Sequence, residues 1–137
     1  DGVGVAVARA AEIKIALISA RFSPATEYRA KELEIEDVYN GGLNKIPAFE
    51  DLKNKYSLSN EEIAYIGDDL IDIPIMEQVG LPIAVPNAAP EVKAIAKHIT
   101  TVPGGNGAFR EAVFWIIEQQ GRTKQVMEKV KEKVLNS

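Results

Sequence analysis

Three aspartates, Asp68, Asp69 and Asp72, stand within about one helical turn of each other, directly after Gly67. Carboxylates this close repel, and a hard cation with few protein ligands relieves the repulsion. Mg2+ suits the group, because it keeps several waters and takes only one or two carboxylates. Asp68, Asp69 and Asp72 are the candidate ligands. Capping is the competing use: Asp68 or Asp69 stands where a helix beginning near Leu70 would start, and Asp is a favoured N-cap. Asp69 and Asp72 can serve both ends.

Lys45 follows Gly41-Gly42-Leu43-Asn44 and opens a helical stretch. A cation there opposes the helix dipole. Its position therefore points to a task, neutralising a phosphate and the aspartates, against the alternative of a surface lysine. Ser19 ends an apolar strand and offers a hydroxyl and a backbone N–H to a phosphate oxygen. An ordinary strand-end serine bonded in a turn is the other reading. Arg21, just beyond Ala20, can grip a carboxylate or phosphate bidentately or remain solvated. Gly104-Gly105-Asn106-Gly107 can wrap a ligand through backbone N–H groups or be a connector, and it lacks the Gly-Lys-Ser/Thr of a P-loop. Arg110 on the following helix can pair with Glu111, and His98, the only histidine, reads as structural.

These residues need elements to hold them. Residues 3–12 read as a helix and the β-branched run 13–19 as a buried strand. Ser23-Pro24 starts a helix that runs to about residue 33. A short strand is expected over 37–39, a helix over 45–56, and a capped single turn at Ser59 to Glu62. A second clear strand covers 63–67, followed by a helix over 70–79, a strand over 82–85, a helix over 90–97 and a brief strand over 98–101. Helices over 108–120 and 123–135 close the chain, the last with Val126, Val130 and Val134 on one stripe. Strands alternating with helices predict an α/β fold with a mostly parallel sheet. Ligands then lie at the carboxyl ends of the strands, where Ser19 and Asp68 are found.

Composition sets the frame. With 137 residues, 46% hydrophobic and 26% charged, the chain reads as one globular domain spanning 1–137, with residues 122–137 as a C-terminal helix. The net charge of -4 argues against a broad nucleic-acid surface, but leaves room for a small anionic substrate. The absence of cysteine excludes disulfides, thiolate metal sites and a cysteine nucleophile. No apolar run approaches a membrane span, and a cytoplasmic protein is expected.

Taken in order, Ser19, Lys45 and Gly67-Asp68-Asp69-Leu70-Ile71-Asp72 resemble the second, third and fourth motifs of the haloacid-dehalogenase phosphatases. The closer resemblance is to the 3-deoxy-manno-octulosonate-8-phosphate phosphatases. It rests on Asp1-Gly2-Val3-Gly4, on Ala64 to Asp72, on Val79-Gly80-Leu81, and on Gly104-Gly105-Asn106-Gly107-Ala108-Phe109-Arg110-Glu111. The resemblance implies a Rossmann-like three-layer sandwich without a large cap, and a Mg2+-dependent phosphatase working through an aspartyl-phosphate. In that scheme Ser19, Lys45 and Asp69 serve catalysis. Ser19, Ala20, Arg21, Lys45, Gly104, Gly105 and Arg110 bind a small phosphorylated sugar acid, and Asp68 holds the metal, with Asp69 a weaker ligand acting through water. It also implies a homotetramer in which a neighbour's glycine-rich tail completes the pocket.

Two features depart from that pattern. Asn44 precedes Lys45 where the family often has Asp, and no Asp-x-Asp at the end of an apolar strand precedes Ser19. The expectation is a chain without its first strand, hairpin and nucleophile, inactive unless that segment lies upstream. Two other readings compete. One is a non-catalytic assembly or regulatory module, like those appended to sugar-nucleotide synthetases. The other is a receiver-like signalling domain, which the order of the motifs disfavours, since its acidic pair comes first in the chain.

Overall fold

A computed structural model describes residues 2–105 and 107–137. Asp1, quoted above beside Gly2-Val3-Gly4, and Asn106 of the glycine-rich loop lie outside the described residues. Along the chain run α1 (Gly2–Ala10), β1 (Ala16–Ser19), α2 (Pro24–Glu32), β2 (Asp37–Asn40) and α3 (Ile46–Tyr56). They are followed by β3 (Ala64–Gly67), α4 (Ile73–Met76), β4 (Leu81–Ala84), α5 (Pro90–Ile95), β5 (His98–Ile99), α6 (Ala108–Gln119) and α7 (Thr123–Leu135). None of the helices described is long and apolar enough to cross a membrane.

Local chemistry explains several boundaries. Ser23 caps α2 through a bond from the Thr26 N–H, and Pro24 occupies the first turn, where no donor is needed. Ser59 and Glu62 form the expected capping box, with the Ser59 N–H donating to Glu62 Oε1 at 3.0 Å. The apolar run 13–19 yields a strand only from Ala16. Its first residues close the end of α1: Glu12 takes a left-handed conformation (φ 60°), and the Ile13 N–H bonds back to the Ala8 carbonyl at 2.9 Å. The helix expected over 70–79 is also shorter. Asp69 and Asp72 close a tight 3-10 turn over Leu70–Asp72, and α4 then spans only Ile73–Met76.

The expected parallel α/β arrangement is present, divided into two sheets. β1 pairs with β2 in parallel, Ala16 opposite Asp37, and β3, β4 and β5 form a separate parallel sheet. Run 13–19 was expected to be a buried strand, yet Ala16 is exposed and Leu17 and Ile18 are half-buried; in β3, likewise, Ala64 is exposed and Tyr65 and Ile66 are half-buried. The reason is that β1 and β3 are both edge strands. Around the sheets, α1, α6 and α7 pack through Val7, Ala8, Val113, Ile117 and Val126. Phe49 of α3 and Ile75 of α4 pack beside Tyr65. The α7 stripe is covered over its first two members: Val126 is buried and Val130 half-buried against the same cluster, while Val134 is 67% exposed.

Candidate functional site

Lys45 and Asp72 form the centre of the site. Lys45 precedes the first residue of α3, and its Nζ lies 2.7 Å from Asp72 Oδ1 and 3.3 Å from the Tyr65 hydroxyl. Tyr65, on β3, donates to the same Asp72 oxygen at 2.6 Å. The other oxygen, Oδ2, accepts the N–H groups of Asp68 at 2.9 Å and Asp69 at 3.1 Å. Both Asp72 oxygens are thus satisfied, which lets a carboxylate with 1% exposure remain charged. Burial opposes its ionisation, but Lys45, Tyr65 and the two backbone donors prevail and hold its pKa below the usual carboxylate value. Burial, with the Asp72 bond adding to it, drives the Tyr65 phenol far above its ordinary value, so it remains a donor.

Asp72 turns inward to Lys45, and that cation relieves its charge. No set of three acidic or imidazole groups suited to a metal forms among the described residues. Asp69 caps the turn that follows it, Oδ1 accepting the Leu70 N–H at 2.7 Å. Asp68 is exposed, and among the described residues no backbone N–H or cation is bonded to its carboxylate. Partial shielding from water, and then the Asp72 charge, push the Asp68 carboxyl above its usual range, with Lys45 pulling the other way. One available carboxylate, with a second partly committed, fits Mg2+, which fills its remaining positions with water and substrate oxygens.

Lys45, Asp68, Asp72 and Gly104 line one end of a groove of about 470 Å³. Its apolar walls include Leu17 and Ile18 of β1, Ile66 of β3 and Phe49 of α3. Ser19 follows the last β1 residue of that wall, and its hydroxyl donates to the Arg21 carbonyl at 2.7 Å. The Ala20 carbonyl accepts the Gly42 N–H at 2.9 Å, and Arg21 is exposed. Gly105 and Arg110 line a separate depression together with Arg29 and Phe114, and the Arg110 guanidinium lies 5.8 Å from the Phe114 ring centre. The structure therefore joins Lys45, Asp68, Asp72 and Gly104 in one groove, and turns Gly105 and Arg110 to the other depression.

Arg110 does not pair with Glu111. Glu111 instead accepts from Thr101 N at 2.8 Å, Thr101 Oγ1 at 2.6 Å and Val102 N at 3.3 Å, and lies 3.3 Å from His98 Nε2. It thereby pins the chain just ahead of the glycine-rich loop. His98 is structural as expected, stacked on Trp115 with ring centres 4.5 Å apart. Sequence reasoning passed over Tyr65 and Glu111. For Tyr65 a signal existed, because a tyrosine inside an apolar strand needs a partner for its hydroxyl.

Parallel strands carry a buried Lys–Asp pair and an available carboxylate at their carboxyl ends, the place where α/β domains bind their ligands. Comparison with protein families matches residues 5–111 to the haloacid dehalogenase-like hydrolases, and the chain belongs to that family. Within it, the chain is 41% identical over 122 residues to the 3-deoxy-D-manno-octulosonate 8-phosphate phosphatase KdsC of Escherichia coli K12. That match covers 89% of this chain and 65% of the relative, so the chain spans just under two thirds of the length of the curated relatives it matches.

Among solved structures, a HAD superfamily subfamily III A hydrolase of Legionella pneumophila superposes with a TM-score of 0.89 at 36% identity. It covers 96% of this chain and 72% of the other. The 3-deoxy-D-manno-octulosonate 8-phosphate phosphatase of Moraxella catarrhalis, in complex with magnesium, phosphate and KDO, superposes at 0.86 with 35% identity, over 93% of this chain and 73% of that one.

Proposed function

We propose that residues 1–137 are the larger part of a Mg2+-dependent phosphatase acting on a sugar-acid phosphate, 3-deoxy-D-manno-octulosonate 8-phosphate or a close relative. The observation that carries the reading is the Lys45–Asp72 pair, 2.7 Å apart, at the end of a groove that Asp68 and Gly104 also line. Lys45, anchored by Asp72 and Tyr65, is held in place to face phosphate oxygens on which charge builds. Asp68, assisted by Asp69, would hold Mg2+, which when bound supplies charge neutralisation for phosphate. The Ser19 hydroxyl, with the backbone of Ala20 and Arg21, would accommodate a phosphate oxygen. Gly105 and Arg110 line a depression other than the Lys45 groove, which supports their use in a neighbouring subunit of a homotetramer.

Phosphate transfer in this reading needs an aspartate nucleophile and a second carboxyl that protonates the leaving oxygen. Neither is identified in residues 2–105 or 107–137, so both come from an Asp-x-Asp strand outside them. The test is Mg2+-dependent phosphate release from 3-deoxy-D-manno-octulosonate 8-phosphate. The chain alone should release none, and a version extended at its N-terminus by an Asp-x-Asp strand and hairpin should turn over. The same extension with Asp68→Asn should be inactive. An extended, folded protein that releases no phosphate would reject the reading. Release by the chain alone would move the nucleophile to Asp1 or another of its own carboxylates.

A further inference from the structure

Two Asn-Gly pairs stand in the sequence, Asn40–Gly41 and Asn106–Gly107, and only the first is described in full. An asparagine followed by glycine is prone to cyclise, because no side chain shields the following main-chain nitrogen. At Gly41 the backbone requires the glycine: its φ is 117°, which other residues adopt only with strain. Gly42 follows with φ 109°, and a Cβ placed on it would meet open space. Both glycines are exposed, and β2, which they leave, is paired on one side only, with β1.

The Asn40 side chain acts as a clamp on the neighbouring loop. Its Nδ2 donates to the Ser23 carbonyl at 2.8 Å and to Glu27 Oε1 at 3.2 Å, and its Oδ1 accepts the Ser23 N–H at 3.1 Å. Beside it the Gly41 N–H donates to the Ser19 carbonyl and the Gly42 N–H to the Ala20 carbonyl, each at 2.9 Å. Together these bonds tie the end of β2 to the loop over 19–23 and to the start of α2.

We propose that Asn40 is a deamidation site guarded by its own clamp, and that its conversion releases the loop over 19–23. The Gly41 nitrogen attacks Asn40 Cγ: the N–Cγ bond forms, the Cγ–Nδ2 bond breaks, and ammonia leaves with the proton from Gly41. Water then opens the cyclic imide at either carbonyl and leaves aspartate or isoaspartate. In the closed loop neither reactant is free. Ser19 holds the Gly41 N–H, and the Asn40 amide is bonded toward Ser23 rather than folded back over its own main chain. Reaction therefore draws on the fraction of molecules in which the loop has opened.

The product cannot restore the clamp. Where Nδ2 donated twice, an aspartate presents an oxygen to two acceptors, the Ser23 carbonyl and the Glu27 carboxylate. Two carboxylates at that spacing repel. Isoaspartate adds a main-chain carbon at the end of β2 and so displaces Gly41 from Ser19. The proposal goes beyond the phosphatase reading and does not depend on it, although the loop it releases is the one that reading gives to a phosphate oxygen.

The test incubates chain 1–137 at mildly alkaline pH beside a peptide of residues 36–45. Peptide mapping by mass spectrometry follows Asn40 separately from Asn106. Conversion at Asn40 should be about ten- to a hundredfold slower in the folded chain than in the peptide. Glu27→Ala removes one partner of the clamp from an exposed position and should speed conversion at least about threefold. The converted chain carries one more negative charge and is isolated by ion exchange, and its hydrogen exchange is read beside that of Asn40→Asp. The amides of Ser23, Gly41 and Gly42 should exchange at least about tenfold faster in both, and that of buried Ile83 in β4 should not change. Conversion as fast in the folded chain as in the peptide, or unchanged by Glu27→Ala, would overturn the guard. No conversion after about a hundred peptide half-times would overturn the site. Unchanged exchange at the loop amides of the converted chain would overturn the release, and that chain alone decides if Asn40→Asp does not fold. None of these readouts involves phosphate release, so the outcome stands apart from that of the phosphatase reading.

Discussion

Asp68 and Asp72 are the same residue type four positions apart, yet their surroundings give them opposite tasks. Asp72 is buried and holds a cation, a phenol and two backbone N–H groups, so it organises the loop. Asp68 is exposed and directed to the groove, so it is available to a ligand. The contrast predicts a separation of stability from binding. Removing one partner of a buried ion pair leaves the other uncompensated, so Lys45→Met should lower the unfolding free energy by roughly 3 kcal/mol. Asp68→Asn should change it by less than about 0.5 kcal/mol, because it removes an exposed charge that Asp72 repels. It should nevertheless abolish Mg2+ binding measured by calorimetry. Urea titrations of both variants, run beside the calorimetry, check the pair. If Asp68→Asn were the more destabilising change, the division of labour between the two aspartates would be wrong.

At the scale of elements, two junctions hold the frame that carries these residues. One joins β2 to the end of α3. The buried Asp37 carboxylate receives the Lys55 ammonium at 2.5 Å and the Tyr56 hydroxyl. Burial opposes its charge, but Lys55 and Tyr56 outweigh burial and depress its pKa below the ordinary 3.8. A depressed folded-state value means stability that is present above pH 3.8 and lost as the pH falls through the lower folded value. Asp37→Asn should therefore reduce stability at pH 7 and flatten the acid decline below about pH 4, as read from thermal midpoints across pH. The other junction is the close approach of Gly80 to the turn before β3, where the Gly80 N–H bonds to the Asn60 carbonyl at 2.8 Å. A Cβ on Gly80 would lie 2.6 Å from the Glu61 carbonyl oxygen, a backbone atom with little room to yield. Gly80→Ala should cost about 1–3 kcal/mol by that overpacking, visible as a lower urea midpoint with an unchanged slope. The sequence made the caps at Ser23 and Ser59 and the alternation of strand and helix legible, because these are local. The 3-10 form of the Asp69–Asp72 turn and the late start of β1 were not legible. Each depends on bonds that close a neighbouring turn rather than on periodicity.

For the whole molecule, the apolar runs 13–19 and 63–67 showed that both segments hold strands. They could not show that the two would stand in separate sheets, because a strand's partner lies far away in sequence. The same limit applies to the site: the types and order of Ser19, Lys45 and Asp68 were readable, whereas the turning of Asp72 to Lys45 and the place of Arg110 in a second depression arise only from packing. Two uncharged, open edges facing one channel also affect behaviour in solution. Edges of this kind invite pairing with other chains, and natural proteins blunt them with charge, especially lysine. Ala16 and Ala64 are exposed at the starts of those edges, with small side chains that offer no obstacle. The isolated chain should therefore associate as its concentration rises. Ala16→Lys combined with Ala64→Lys should suppress that association in sedimentation velocity without lowering the thermal midpoint by more than a few degrees, since neither position is packed. Lysines placed instead at exposed Val134 and Leu135 on α7 serve as the control and should leave the association unchanged. If the α7 pair suppressed it and the strand pair did not, the sticky surface would be the last helix, and the sheet edges would be inert.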